Sequence, residues 1–162
     1  MLNRQEIEQL IPHRAPFLWV DEVVERTDRT IHARKFLDPK LDVFAGHFPD
    51  FPVLPGVLQC EAAFQAGALL IGRLAPVSSA GGSSAGIPFA GVPSADEALP
   101  VVTRLNNVKF RRMVRPGETL DIHAELTERL SSAYFLKART AVGGQTSCSL
   151  EFACTFTQKK AL

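Results

Sequence analysis

The sequence predicts an α+β fold in which one antiparallel sheet wraps a single long apolar helix. Three observations carry this. The run GVLQCEAAFQAGALLIGRL, from Gly56 to about Leu74, is apolar nearly all round, and Glu61, Gln65 and Arg73 stand out against it. A helix of that kind is buried rather than amphipathic. The last third of the chain reads in period two: Leu120, Ile122, Ala124 and Leu126 alternate with Asp121, His123 and Glu125, the pattern of a strand with one buried face. Short turn signals separate the strand-like stretches, which makes neighbours antiparallel. One sheet covers only part of an all-round apolar helix, so a second subunit packed alongside is expected.

The elements follow in chain order. NRQEIEQL, residues 3–10, is a short helix with Asn3 as N-cap and Glu6 in its first turn. It stops near Ile11, because Pro12 disfavours helical backbone in the residue before it. Phe17 to Arg26 is rich in valine and aromatics and reads as a strand. Thr30 to Phe36 is its partner across a turn at Asp28 and Arg29, with a loose alternation of Ile31, Ala33 and Lys35 against His32, Arg34 and Phe36. Residues 38–55 carry Pro39, Pro49, Pro52 and Pro55. Proline removes backbone donors and fixes chain direction, so this stretch is expected to be irregular and able to hold one side chain in an unusual position. The long helix follows, spanning about 27 Å.

Residues 75–94, APVSSAGGSSAGIPFAGVPS, consist of small residues and turn formers, which reads as a flexible insertion at about 75–100 within a single domain covering 1–162. No GK[ST] follows its glycines, so it is no phosphate cradle. Pro100 to Met113 reads as a strand, and Arg115, Pro116 and Gly117 as a turn. The strand of residues 118–130 comes next, then a turn at Ser131 and Ser132, then AYFLKARTAV. Gly143 and Gly144 signal a hairpin. In the closing QTSCSLEFACTFT, Cys148, Leu150, Phe152, Cys154 and Phe156 share one face.

Composition narrows the function classes. The chain has 162 residues, is 46% hydrophobic and 22% charged, and has a formal net charge of +1, which suits a globular protein and gives no global reason to expect nucleic acid as a partner. No apolar run reaches the roughly 18 residues of a membrane span, and the first residues lack the apolar core of a secretory signal. Cys60, Cys148 and Cys154 are an odd number without CxxC spacing. They read as small buried hydrophobes with reduced thiols, in a cytoplasmic protein without a metal site.

No GxSxG elbow, HExxH or dinucleotide fingerprint is present. The candidates that remain are His47 and Glu61. A carboxylate on an apolar helix is costly unless paired or protonated. Acid/base work, with burial raising its pKa, is one reason for Glu61 to be there. An arginine partner or a loop cap is another, equally open on physical grounds. His47 sits in a Gly/Pro-locked loop that fixes its direction, and imidazole titrates near neutrality. A satisfied structural histidine is the alternative. The backbone N–H groups of Gly56 and Val57 are orphan donors at the positive end of the helix dipole, suited to a developing oxyanion. Base, acid and oxyanion donors in one segment suit removal of a proton next to a carbonyl.

These residues carry a resemblance. GHFPDFPVLPGVLQCEAAFQA resembles the active-site signature GHFPxxPxxPGVLxxEAxxQ of the FabZ-type 3-hydroxyacyl-acyl-carrier-protein dehydratases. IPHRAPFLWVD resembles that family's PHRxPFLxVD segment, and VKFRRMVRPGE its KFRRPVxPGD strand. The three blocks lie in the family's order, on both sides of residues 75–100. The resemblance implies a hotdog fold, a long central helix wrapped by an antiparallel sheet. Its subunits join their sheets in homodimers, and many members assemble as trimers of dimers. It implies His47 as the base that takes the C2 proton and Glu61, from the other subunit, as the group that handles the leaving 3-hydroxyl. Gly56 would bind the thioester carbonyl, the Val53 carbonyl would orient the His47 ring, and Gln65 would help hold Glu61. The product would be a trans-2-enoyl thioester, formed without metal or organic cofactor.

Lys109, Arg111, Arg112 and Arg115 are candidates for docking an acidic acyl carrier protein, and equally a solvated strand edge. His13 and Arg14 fall in the second block and read mainly as structural. His32 and His123 read as outward-facing surface residues. The chain departs from the family pattern in three places. PVVTRLNN lacks the aromatic gate residue, the only tyrosine being Tyr134. The small-residue insertion is long, and Phe64 stands where a small residue is usual. These departures bear on chain length and carrier. A hotdog enzyme of a specialised lipid or polyketide-like pathway, one acting on coenzyme A thioesters, and a non-catalytic acyl-binding subunit are the alternatives.

Overall fold

The computed structural model describes residues 1–72 and 98–158. The element order is α1 (Arg4–Leu10), β1 (Glu22–Arg26), β2 (Thr30–Phe36), α2 (Asp42–Gly46), α3 (Gly56–Ile71), β3 (Ala98–Phe110), β4 (Thr119–Leu130), β5 (Ala133–Val142) and β6 (Gln145–Gln158). All six strands form one antiparallel sheet in the order β1-β2-β4-β5-β6-β3. The helix α3 lies against its inner face. Ala62, Ala63, Ala66, Leu69, Leu70 and Ile71 of α3 are buried in one core with Ile31, Leu120, Ile122, Leu136, Leu150 and Phe152 of the sheet. Small residues let helix and sheet approach closely. A Cβ added at Gly67 would stand 2.7 Å from Cζ of the buried Phe152 ring.

Local sequence sets the ends of these elements. Asn3 accepts from the Glu6 N–H at 3.1 Å, and Glu6 Oε2 accepts from the Asn3 N–H at 2.7 Å, a capping box. Gly143 and Gly144 both take positive φ between β5 and β6, which glycine adopts without the steric cost of a Cβ. Lys35 on the inner face of β2 is buried, and its ammonium bonds Asp21 Oδ1 at 2.7 Å, so a charge fits the strand's buried alternation by being paired. The thiols of Cys60, Cys148 and Cys154 are free and buried, and burial pushes Cys154 up to about 12.

Four expectations need correcting. The first strand is shorter than Phe17–Arg26 and begins at Glu22. Upstream of it the backbone bonds a side chain instead of a strand: Trp19 N–H donates to Gln65 Oε1 and the Phe17 carbonyl accepts from Gln65 Nε2. The Pro-rich stretch contains regular structure after all. The five-residue helix α2 fits between Pro39 and Pro49, where no proline interrupts it. The strand expected from Pro100 to Met113 runs from Ala98 to Phe110, so it takes in the last residues assigned to the insertion. It ends where the N–H groups of Arg111 and Arg112 both turn to the Ser147 carbonyl. The long helix ends at Ile71 with Gly72 as C-cap. Residues 73–97, which include Arg73, Leu74 and nearly all of the expected insertion, lie outside the described residues.

Candidate active site

His47 caps the C-terminus of α2, its N–H donating to the Val43 carbonyl at 3.1 Å. The prolines that follow bend the chain back on itself. As a result Val53 N–H donates to the His47 carbonyl at 2.9 Å, and His47 Nδ1 lies 2.9 Å from the Val53 carbonyl. A carbonyl can only accept, so Nδ1 carries the proton. The tautomer is thereby set, and Nε2 is left with a free lone pair. The loop is tied down beyond Val53 by Leu54 N–H, which donates to the Val114 carbonyl at 2.7 Å. The His47 ring stacks on Phe48 with centroids 4.2 Å apart.

The helix α3 begins at Gly56 behind Pro55. Its first N–H groups, those of Gly56 and Val57, have no intrahelical acceptor and point out of its positive end. Glycine at the first position gives room: a Cβ there would lie 2.7 Å from Cε1 of Phe110. Val57 is exposed, as are Phe48, Phe51, Phe110 and Met113.

Glu61 lies on the same helix and is half-buried, not fully buried as expected, with its side chain 20% accessible. Gln65, four residues on, donates to Glu61 Oε1 at 2.9 Å. The same amide bonds the Phe17 carbonyl at 2.8 Å and accepts from Trp19 N–H at 2.7 Å. His13 Nε2 stands 3.6 Å from Glu61 Oε1. Both contacts fall on Oε1, and among the described residues no hydrogen bond or ion pair engages Oε2. A cavity of about 450 Å³ opens beside this carboxylate, lined by His13, Phe64, Ala68, Val102 and Cys154 among others. Phe64 packs edge-on against Phe152 with centroids 5.0 Å apart.

Within the chain His47 and Glu61 form no ion pair with each other, and His47 is not part of the cavity wall at Glu61. The structure brings His47 to Val53 and, separately, Glu61 to Gln65 and His13, while Gly56 and Val57 begin the helix that carries Glu61.

The four basic candidates have different neighbours. Arg112 bonds Glu118 Oε1 at 2.6 Å, and the Arg115 guanidinium lies over Phe51, 5.1 Å from its centroid. Lys109 and Arg111 instead line a groove of about 660 Å³ on the outer side of the sheet, beside Arg139 and His123. His32 and His123 are more enclosed than a free surface pair: their rings stack at 4.2 Å, and His32 Nε2 lies 2.8 Å from Asp121 Oδ1. Tyr134 is buried against Phe156, so it stands in no gating position. Sequence reasoning missed the contact of His13 with Glu61 and the reach of Gln65 to Phe17 and Trp19. The only signal for either was that these residues recur in two separate matched blocks.

The fold is shared with solved structures. The dehydratase heterocomplex ApeI:P from Xenorhabdus doucetiae superposes with a TM-score of 0.71 at 17% identity, covering 94% of this chain and 91% of that one. The uncharacterized protein PH1136 from Pyrococcus horikoshii superposes with a TM-score of 0.61 at 13% identity, covering 99% and 97%. The chain has the hotdog fold. At the level of sequence, the model of the FabA-like domain matches residues 11–151. The 3-hydroxyacyl-[acyl-carrier-protein] dehydratase FabZ of Clostridium perfringens is 36% identical over 151 residues, 93% of this chain and 96% of that protein. The FabZ of Bacillus cereus is 36% identical across 99% of both chains. The chain belongs to the FabA-like family, among its FabZ-type 3-hydroxyacyl-acyl-carrier-protein dehydratases.

Proposed function

We propose that this protein dehydrates 3-hydroxyacyl thioesters on acyl carrier protein to trans-2-enoyl thioesters in fatty acid biosynthesis, at sites shared between two copies of the chain. The observation that carries the reading is the state of His47. Its Nδ1–H is held by the Val53 carbonyl at 2.9 Å, so Nε2 is presented as a base. His47 Nε2 takes the C2 proton. The C2–H electrons form the C2=C3 bond as the C3–O bond breaks, and the hydroxyl leaves as water with a proton from Glu61. The N–H groups of Gly56 and Val57 receive the negative charge that builds on the thioester oxygen.

Two features support sharing between copies. The His47 half-site is ringed by exposed Phe48, Phe51, Val57, Phe110 and Met113, an apolar surface that suits a protein interface. Among the described residues β3 is the edge of the sheet without a partner, since a bridge from Leu2 to Val23 covers part of β1. An edge of 13 residues invites pairing with a second copy. In a two-fold dimer each chain then supplies His47 to one site and Glu61 to the other. Further assembly into trimers of dimers is compatible with this arrangement.

The cavity at Glu61 receives the acyl chain, with Phe64 narrowing it. Lys109 and Arg111, which have no ion-pair partner among the described residues, and Arg115 receive the acidic carrier. The buried reduced thiols suit the cytoplasm. Incubation of the purified protein with 3-hydroxyacyl and trans-2-enoyl thioesters, on acyl carrier protein and on coenzyme A, tests the reading. Interconversion is expected, faster on acyl carrier protein. No interconversion on either carrier, or turnover unchanged by His47→Ala, overturns it. Preference for coenzyme A redirects it to a thioester of that carrier.

A further inference from the structure

The carboxylate of Glu61 is held from one side only. Gln65 and His13 approach the same oxygen, Oε1, at 2.9 Å and 3.6 Å. Gln65 accounts for itself, because its amide also ties α3 to Phe17 and Trp19. His13 does not. It comes from the segment between α1 and β1, its side chain is 24% accessible, and Nδ1 is buried without a hydrogen-bond partner. That orphan atom identifies the tautomer. Orphaned buried N–H groups are rarer in folded proteins than acceptors with an unused lone pair. The proton therefore sits on Nε2, facing Glu61. Burial, with Arg14 nearby, lowers the His13 pKa against the pull of Glu61, which keeps the ring neutral near pH 7.

We infer that His13 is a positioning residue: its Nε2–H, together with the Gln65 amide, fixes Glu61 Oε1 so that Oε2 is the oxygen presented to the substrate hydroxyl. The inference rests on the dehydratase reading for its kinetic consequence, but not for its electrostatic one. At 3.6 Å the contact is electrostatic and longer than a formed hydrogen bond. Such contacts tighten when a substrate fills the site. The groups facing the pair are few. Arg14 turns away, its guanidinium bonding the carbonyls of Ile11 and His13. Cys154 on the cavity wall is a neutral thiol, and Leu99, Pro100, Val101 and Val102 are apolar. Among the described residues no Lys or Arg forms an ion pair with Glu61.

The test compares His13→Leu, which removes the donor, with His13→Gln, whose amide reaches a similar point and cannot titrate. His13→Leu is expected to lower kcat about 10- to 100-fold with KM nearly unchanged, the signature of an interaction made in the transition state. His13→Gln should recover most of that loss. In a Glu61→Gln background, His13→Leu should add nothing, since residues acting through one group are not additive. The carboxyl carbon shift of Glu61, read by NMR of labelled glutamate side chains at neutral pH, needs no turnover. It should move when the donor is lost in His13→Leu and return in His13→Gln. A folded His13→Leu with an unmoved Glu61 carboxyl signal overturns the inference. So does a full additive loss in the Glu61→Gln background. A moved signal in a protein without dehydratase turnover upholds the contact and faults the functional reading instead.

Discussion

The two halves of the site are built by different means. His47 is held by its own neighbourhood: the Val53 carbonyl that fixes Nδ1 and the Val53 N–H that bonds the His47 carbonyl lie six residues along the chain. Glu61 is held through side chains that tie α3 to a segment more than forty residues away, Gln65 reaching Trp19 and Phe17 at sequence separations of 46 and 48. A local loop of prolines can set one ring but is isolated at the molecular surface, among exposed apolar residues. A long-range network can set one carboxylate oxygen but depends on the whole fold. On the proposed roles, the base stands on a rigid rim and the acid on a network that reaches the core, so the two are separately breakable.

The largest effect is expected at the rim. His47→Ala should lower kcat/KM about 100- to 10,000-fold, the range for losing a general base, without lowering the thermal midpoint. On the core side, Gln65→Leu should cost both activity and stability. Trp19 N–H and the Phe17 carbonyl lose their partner, at about 1–3 kcal/mol for a buried group left unsatisfied. Chemical denaturation measures that loss, and a fall in kcat of about 10- to 100-fold is expected from a displaced Glu61. If Gln65→Leu proved as stable as the parent, the asymmetry between the halves would be lost.

A smaller effect is expected from Gly56→Ala. The new Cβ meets the Phe110 ring at 2.7 Å, and because Phe110 is exposed it can swing aside. The change should fall on turnover, by a few-fold, through the displaced first turn of α3, with little change in the unfolding midpoint. The smallest is Asp121→Asn, remote from both halves. Burial raises the Asp121 carboxyl, but hydrogen bonds from His32 and Arg34 outweigh this and hold it below its ordinary value. A depressed carboxyl contributes stability above its unfolded pKa of about 3.9, and that contribution fades as the pH falls through the folded value. Asp121→Asn should therefore flatten the acid limb of the stability curve and leave kcat at neutral pH unchanged.

The same contrast explains what was legible in the sequence. The loop, the helix start and His47 lie within one continuous block, so prolines, glycines and an apolar run sufficed to find them. The sheet was legible from period two, which strand burial imposes directly. The start of β1 was not: Phe17 to Asp21 has strand-like composition, and the distant Gln65 amide explains why the backbone at Phe17 and Trp19 stays out of the ladder. The helix α2 was hidden by the prolines on either side of it. The neighbours of Lys109, Arg111, Arg112 and Arg115 were hidden for a related reason. Adjacent residues at a strand end turn to different neighbours, Arg112 to Glu118 and Arg115 to Phe51, and sequence proximity does not report which.

The claim that the base and acid of one site come from two chains is tested most directly by mixing. His47→Ala and Glu61→Gln proteins, each nearly inactive, are unfolded together and refolded, or co-expressed with different tags and purified through both. In a two-fold dimer, a mixed pair has one site with both defects and one site with neither. Random pairing is then expected to restore about a quarter of the parental turnover, and doubly tagged dimers about half. Mixed dimers that form but stay as inactive as either parent would place His47 and Glu61 of one site in the same chain and contradict the account.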